Sequence, residues 1–274
     1  MKDNGMEVIN TRVAHAGWDD HRYFGYSVFN ELAGHETYTG LIGLTVHGRR
    51  ISSEQVRILD DIAGAFAVAE PRIYALKIVR LISSFGRILP ACASGILYME
   101  DAIIGPWTSK YAAENLVELD NLIGSNLDDN EYVTKRTIEF LEKKKRLKGY
   151  GVPFRSSDER IRAIRKCIER RERHTRRVWR LFEAVSDVLR KERGLEPNVS
   201  TALAAVYLDL GFTSDEIPVI ATALSHNLLL ANAIEEAKQK SPALQRLPED
   251  SILYVGKARR KSPRAVAAGQ DKGS

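Results

Sequence analysis

Apolar residues recur at steps of three and four along most of this 274-residue chain, which is the spacing of one face of an α-helix. Ser52, Ser156 and Thr213 are each followed three residues later by Gln or Glu, as in the capping box that opens many helices. Strand-like alternation is weak and limited to residues 6–13. The pattern therefore predicts an all-α fold of about ten helices.

The pattern also predicts where the later helices lie. The Gly-Tyr-Gly sequence at residues 149–151 indicates a loop. One long amphipathic helix is predicted over residues 156–193, a buried helix over 199–210, and a further helix over about 213–240. Residues 257–274 are basic and rich in Ala, Gly and Ser, so we expect a disordered tail there.

The net charge of +5 is distributed unevenly along the chain. Residues 143–193 contain 19 Lys and Arg against 7 Asp and Glu, a net of +12, which leaves the remainder near −7. A basic stretch of this kind suggests an anionic partner such as a nucleic acid, a phosphate ester or an acidic membrane. The alternative is a solvated helix face with excess positive charge.

Composition indicates neither a membrane nor a metal protein. No apolar run approaches the roughly 18–20 residues needed to span a bilayer, and residues 1–10 lack the apolar stretch of a signal peptide. We therefore expect a cytoplasmic location. Cys92 and Cys167 lack metal or redox spacing and are interpreted as ordinary buried or half-buried thiols. His35 and His47 also lack ligand spacing, so no metal site is predicted.

Four stretches, in order, resemble landmarks of the citrate synthase and citryl-CoA lyase family. Residues 31–49 resemble the early helix that ends in a Gly-Arg turn. Residues 149–155 with 158–160 resemble the Gly-Phe/Tyr-Gly-His-Pro loop and the following Asp-Pro-Arg. Residues 197–200 resemble Pro-Asn-Val-Asp, and residues 246–256 resemble the Arg-Pro and Tyr-Val-Gly segment near the family's C-terminus.

This resemblance implies a helical subunit of two domains that forms a homodimer. The large domain would comprise residues 1–110 and 212–256, with a smaller helical domain inserted at residues 111–211. The active site would lie between them. The basic stretch would then fall in the small domain, which in the family carries much of the coenzyme A site, in agreement with the charge distribution.

The resemblance also identifies the positions of the family's three acid–base groups, and all three are replaced. Ser200 stands where an aspartate removes a proton, and Val152 where a histidine polarises a keto group. Thr108 aligns with the histidine that hydrogen-bonds the thioester oxygen, and it is followed by Lys110 and Tyr111. A buried lysine with a depressed pKa could act there as a base or as a Schiff-base nucleophile.

The same resemblance implies that some of the family's ligand-binding residues are retained. Arg160 and Arg246 match carboxylate-binding arginines, Asn198 lies in the Pro-Asn-Val segment, and His226 replaces a third arginine that it cannot imitate as a bidentate donor. The arginines could instead be surface charges, and His226 a core histidine. The implied coenzyme A contacts are Gly149, Tyr150, Gly151, Val152 and Arg155.

These observations leave three hypotheses. The first is an enzyme of altered chemistry that acts on a coenzyme A thioester or a related carboxylic acid, as a carbon–carbon lyase, acyltransferase or thioester hydrolase. The second is a catalytically inactive binding or regulatory protein that keeps the dimer. The third, a nucleic-acid-binding module, rests on the charge of residues 143–193 alone and is the least favoured.

Overall fold

A computed structural model of the chain describes residues 9–67, 70–101, 105–152, 156–258 and 260. Its principal helices are α1 (Tyr38–His47), α2 (Ser53–Phe66), α3 (Tyr74–Ser83), α4 (Ile88–Asp101), α5 (Pro106–Ile123), α6 (Asn130–Lys144), α7 (Glu159–Arg170), α8 (Arg177–Arg193), α9 (Val199–Asp209) and α10 (Glu216–Gln239). A four-residue helix, α11 (Pro242–Gln245), and a 3-10 turn (Glu249–Ser251) follow. The predicted all-α class is confirmed.

A small antiparallel sheet precedes the helices and was not predicted. Strands β1 (Ala14–Ala16), β2 (His21–Tyr23) and β3 (Tyr26–Ser27) pair in the order β1-β2-β3, and a single turn of π-helix (Val28–Leu32) leads to α1. Strands of two or three residues are too short to show an alternating pattern. Of the strand signal expected at residues 6–13, residues 6–8 lie outside the described residues, and residues 9–13 are irregular, so the strand begins only at Ala14.

Two of the three predicted capping boxes open helices as expected, and one is wrong. The Ser52 hydroxyl accepts from the Gln55 N–H, and the Gln55 side chain accepts from the Ser52 N–H. Thr213 and Glu216 exchange the same pair of bonds at the start of α10. At α7 the cap is Asp158 rather than Ser156.

The predicted long helix over residues 156–193 is also wrong, because it is two helices, α7 and α8. The chain turns between them at Glu172, where φ is +55°. The Asp209 carboxylate accepts hydrogen bonds from the Val178 N–H at 2.9 Å and the Trp179 N–H at 2.8 Å, and so caps α8 from another helix. This contact with a distant part of the chain starts a new helix, and the spacing of apolar residues gives no indication of it.

The core forms two clusters of buried side chains. The larger joins α2, α5, α6, α7, α8, α9 and the first half of α10, with Phe140, Phe182 and Tyr207 among its fully buried members. The smaller joins α3, α4 and the second half of α10 through Val79, Cys92 and other residues. Both cysteines are buried and free, as predicted. Helix α2 packs against α7, and the proposed division into two domains stays a prediction.

Helix α10 is long and apolar enough, by length and composition, to cross a membrane, contrary to the expectation from the sequence. It packs against α1, α3, α4 and α5. Its second half buries two polar residues, Asn232 and Glu236, and Glu236 pairs with Arg80 of α3 at 2.7 Å. These contacts are those of a core helix, in which a buried charge is matched by a partner on a neighbouring element.

Candidate functional site

The Gly149 loop (residues 149–152) is held to the segment before α9 by backbone hydrogen bonds. The Gly151 N–H donates to the Glu196 carbonyl at 2.7 Å, and the Asn198 N–H donates to the Gly149 carbonyl at 2.9 Å. Tyr150 and Pro197 form an isolated bridge between these bonds. The two stretches that were separated by more than 40 residues in the sequence therefore form one unit.

Gly149 brings two helices to this loop because it has no side chain. Its φ is +91°, and an added Cβ would overlap the Thr201 hydroxyl of α9 and lie 2.9 Å from the Ala112 Cβ of α5. The Thr201 hydroxyl donates to the Gly149 carbonyl at 2.6 Å. Only glycine permits both this backbone conformation and this close approach, so α5, the Gly149 loop and α9 meet at one point.

The positions assigned to the family's acid–base groups lie on these three segments. Thr108 is one turn before Ala112 and thus on the same side of α5. Val152 ends the Gly149 loop, and Ser200 precedes Thr201 in the first turn of α9. All three side chains are half-buried. Within the described part of the chain, no base is hydrogen-bonded to the Ser200 hydroxyl.

Asp158 is a buried carboxylate beside the loop, and the sequence reading missed its role. It accepts from the Val199 N–H at 2.8 Å and from the Arg160 Nε and Nη2 atoms at 2.8 and 2.7 Å. Burial by itself would raise the pKa of Asp158, but these hydrogen bonds and the Arg160 charge hold it below its usual value. The carboxylate is therefore ionised and saturated with donors, which makes it a poor base.

A family model for the C-terminal domain of citrate synthase matches residues 79–246, more than half of the chain. The chain belongs to the citrate synthase family. The match contains α5, the Gly149 loop, Asp158 and α9, and so covers the whole of the site described above. It confirms the family that the four sequence landmarks indicated.

Solved structures show the same fold. Citryl-CoA lyase from Hydrogenobacter thermophilus aligns with a TM-score of 0.78 at 20% identity, over 95% of this chain and 100% of that one. ATP citrate lyase from Methanothrix soehngenii, solved with citrate and coenzyme A, gives 0.72 at 16% identity, over 92% of this chain and 42% of that one.

Citrate synthase from the archaeon Thermoplasma acidophilum, solved with carboxymethyl coenzyme A and oxaloacetate, gives a TM-score of 0.57 at 16% identity, over 83% of this chain and 59% of that chain. No curated protein matches the chain by sequence. At these identities the structural matches establish the fold of this citrate synthase family member, and its chemistry has to be argued from its own residues.

Lys110 does not have the depressed pKa that a lysine base requires. Its Nζ lies 2.5 Å from the Asp215 carboxylate and 3.9 Å from that of Glu114. The hydrogen bond to Asp215 raises the pKa of Lys110 above its ordinary value. The side chain is therefore paired and protonated in this arrangement, which does not favour Lys110 as a neutral base or nucleophile, and its catalytic role stays a prediction. Its neighbour Tyr111 is exposed.

The predicted substrate-binding residues divide between two places. Asn198 is at the loop, where its amide donates to the Gly151 carbonyl at 3.2 Å and its side-chain oxygen caps α9. Arg160 is there as well, in its bidentate pair with Asp158. Arg246 is exposed after α11, which packs against α3, and His226 is half-buried on α10. No hydrogen bond or ion pair among the described residues joins either of these two to the Gly149 loop.

The predicted coenzyme A contacts are placed in part. Gly149, Tyr150, Gly151 and Val152 form the loop itself, whereas Arg155 lies outside the described residues. The Tyr150 hydroxyl is buried and lies 3.4 Å from the Ser186 hydroxyl. Burial raises the pKa of Tyr150 well above its ordinary value. The loop therefore offers backbone groups rather than charged side chains.

The basic stretch is paired in part with carboxylates of other helices. Arg171 pairs with Asp61 of α2, and Arg177 with Asp120 of α5, each at 2.7 Å. Arg165 makes a two-point pair with Glu183 between α7 and α8. These arginines link neighbouring helices and are already paired, which makes them less available to a nucleic acid. Among the described residues, no three His, Cys, Asp or Glu side chains are placed to share a metal ion.

Proposed function

We propose that this chain binds a coenzyme A thioester, or a related carboxylic acid, where α5, the Gly149 loop and α9 meet. We further propose that it acts on this ligand as a carbon–carbon lyase, acyltransferase or thioester hydrolase with an altered set of groups. The observation that supports the proposal is the close approach at Gly149, which assembles the three family segments although their acid–base residues differ.

The altered chemistry is argued from the side chains that replace the family's groups. A valine neither donates nor accepts a proton, and a serine without a base partner is a poor base near neutral pH. Removing one such group costs a catalyst about 10²–10⁴-fold. The Asp158 carboxylate accepts four hydrogen bonds, three from Arg160 and one from the Val199 N–H. It is therefore not available as a base in place of the family's aspartate. We therefore expect no appreciable standard citrate synthase or citryl-CoA lyase turnover.

Ligand binding is tested first, by thermal melting with coenzyme A, acetyl-CoA, citrate and oxaloacetate. A ligand that binds only the folded state stabilises it by about 2.7 kcal/mol at a concentration 100 times its Kd. We expect a coenzyme A compound to raise the melting temperature. If none of the four ligands does so, the proposal fails.

The replaced groups are tested by restoring them. The triple variant Thr108→His, Val152→His and Ser200→Asp should gain citryl-CoA cleavage or citrate formation that the natural chain lacks. The matched control carries Ser200→Asn in place of Ser200→Asp, which preserves shape but cannot remove a proton. Rapid citrate formation by the unmodified chain would show that the three positions are assigned incorrectly.

A catalytically inactive binding or regulatory protein is the second candidate. The observation that favours it is that the charged groups near the site, Lys110, Asp158 and Arg160, are all engaged in ion pairs. The two candidates differ in turnover. If a coenzyme A compound binds but products of thioester cleavage or acyl transfer never accumulate, the second candidate is favoured.

We also propose that the chain forms a homodimer through α3 and α4. Leu81 and Phe85 at the end of α3, and Leu89 and Leu97 on α4, are exposed apolar side chains on two packed helices. A surface of this kind on a globular protein typically marks an interface. A twofold dimer would bury the same surface of both copies.

A further inference from the structure

Helix α5 begins without the side-chain cap that several other helices of this chain have. Its N-cap is Gly105, which has no side chain to accept from the free N–H groups, and Pro106 occupies the first helical position. The same turn carries Thr108, one of the three positions assigned to the family's acid–base groups. Because an uncapped helix end frays readily, a contact from elsewhere in the fold is needed to hold this turn.

Lys110 makes such a contact from the opposite face of the helix. It follows Thr108 by two positions, and side chains two positions apart point about 200° apart around an α-helix. The Lys110 Nζ lies 2.5 Å from the Asp215 carboxylate at the start of α10 and 5.3 Å from the centroid of the Trp107 ring. The ammonium group is therefore held between an aromatic ring of its own turn and a carboxylate of another helix.

Asp215 extends from a turn that is itself fixed. The carboxylate of the next residue, Glu216, accepts from the Thr213 N–H at 2.7 Å and lies 3.0 Å from His47 Nδ1 at the end of α1. The His47 ring stacks on Phe212 with the two planes 3° apart. The start of α10 thus joins α1 to α5, since Glu216 binds the first of these helices and Asp215 the second.

Thr108 therefore lies between two contacts on opposite sides of α5. Ala112 is one turn later and on the same side as Thr108, and its Cβ would be 2.9 Å from a Cβ added at Gly149. Lys110 holds the other side. The Asp215 side chain is 79% exposed, so the ion pair adds little to overall stability. Its effect is local, on the orientation of the first turn of α5.

We propose that Lys110 and Asp215 are positioning residues, and that their ion pair fixes the first turn of α5 with Thr108 towards the Gly149 loop. The inference rests on the ligand site proposed above, and it makes Lys110 a charged tether rather than a base. Neither residue has to touch the ligand. A ligand that binds beside a turn already held in place does not have to order that turn, and so binds more tightly.

Hydrogen–deuterium exchange tests whether the pair holds the turn. The Tyr111 and Ala112 amides donate across the first turn of α5, so their exchange reports its fraying. Asp215→Asn should speed exchange at both amides about threefold or more, and Asp215→Glu, which keeps the charge, should restore slow exchange. Glu114→Gln is the matched control. It removes the other carboxylate near Lys110, at 3.9 Å, and should leave exchange nearly unchanged.

Ligand affinity tests whether the held turn serves the site. Isothermal titration uses whichever of coenzyme A, acetyl-CoA, citrate and oxaloacetate raises the melting temperature of the natural chain most. The Kd should be about fivefold or more weaker in Asp215→Asn, whereas the urea midpoint should change little because the pair is largely exposed. Asp215→Glu should recover the affinity. Glu114→Gln should retain it, which separates loss of the tether from loss of a negative charge near the ligand.

Three outcomes would overturn the inference. Unchanged exchange in Asp215→Asn would mean that the ion pair does not hold the turn. Faster exchange with unchanged affinity would mean that the pair is structural only and positions nothing for a ligand. If none of the four ligands binds the natural chain, the proposed site fails and the positioning role fails with it, whereas the exchange result still decides whether the tether exists.

Discussion

Gly149 is a glycine for two separable reasons, its backbone angle and the space around it. Its φ of +91° is matched by Gly151 at +93°, but an added Cβ at Gly151 would meet nothing within 4 Å. At Gly149 the same atom would overlap Thr201. A side chain at Gly151 would therefore cause backbone strain alone, whereas one at Gly149 would cause the same strain and also a clash with α9.

Gly149→Ala should destabilise the fold more than Gly151→Ala does. The left-handed conformation costs about 1–2 kcal/mol in either variant, and the clash with Thr201 adds about 1–3 kcal/mol in the first. Urea denaturation gives both free energies of unfolding. The double variant Gly149→Ala/Thr201→Ala should recover part of the difference, and equal losses in the two single variants would refute the close approach.

Asp158 gives the site a pH dependence of known sign. The pKa of Asp158 is lower in the folded chain than its ordinary value of 3.8. Its ion pair therefore stabilises the fold above about pH 4, where the carboxylate is ionised in both the folded and the unfolded chain. This stabilisation is lost as the pH falls through the pKa of the folded chain. Asp158→Asn should therefore be less stable than the natural chain at pH 7, and the difference should narrow below about pH 4. Chemical denaturation from pH 3 to 7 measures the difference in unfolding free energy between the two proteins. A difference that stays constant over this range would contradict the ion pair between Asp158 and Arg160.

At the scale of elements, contacts from distant helices decide where some helices begin. The boundary between α7 and α8 falls within a run of apolar spacing that would suit one helix. Asp209 at the end of α9 caps α8, and the turn between the helices buries Arg173, which pairs with Glu54 at 3.2 Å. Burial raises the pKa of Asp209, although the two N–H donors oppose that change.

Asp209→Ala should weaken the start of α8 and cost about 1–3 kcal/mol, because two buried N–H groups lose their acceptor. Asp187→Ala on the same helix is the control. It removes an exposed carboxylate whose pair with Arg190 spans three residues, and should change stability by less than about 0.5 kcal/mol. The free energy of unfolding in urea reports both variants, and similar losses would exclude a capping role for Asp209.

At the scale of the whole molecule, the exposed apolar surface of α3 and α4 is the feature that a single chain leaves unexplained. These helices pack on the second half of α10, where Arg80 binds the Glu235 and Glu236 carboxylates. The side of α3 and α4 that faces α10 is therefore covered by the smaller core cluster, and its charges are paired in this network. Its outer side exposes leucine and phenylalanine, which a dimer would cover.

Leu89→Asp with Leu97→Asp should reduce the particle mass measured by light scattering from that of a dimer to the 30.7 kDa of one chain. Two unpaired carboxylates buried in an apolar interface carry a desolvation cost with no compensating partner. Leu122→Asp, an exposed apolar residue on α5, is the control and should leave the mass unchanged. A monomeric natural chain at all concentrations would refute the dimer.

Local chemistry in the sequence determined the helical class, the caps at Ser52 and Thr213, the buried cysteines and the loop at residues 149–151. The four ordered landmarks also led to the family that the match over residues 79–246 establishes. These features depend on residues within a few positions of one another in the sequence, and periodicity and motif spacing therefore predict them. A cytoplasmic location, the domain division and the chemical roles of the site residues stay predictions.

Only the tertiary structure decided which charges are available for chemistry and which are already paired. Arg160 binds Asp158 and Lys110 binds Asp215. Arg171 and Arg177 bind carboxylates of α2 and α5 that are more than 50 residues away in the sequence. The break between α7 and α8, and the small sheet, were decided in the same way. A side chain's pKa and a helix's boundary both depend on groups that are near in space but distant in sequence, and one-dimensional spacing does not specify those neighbours.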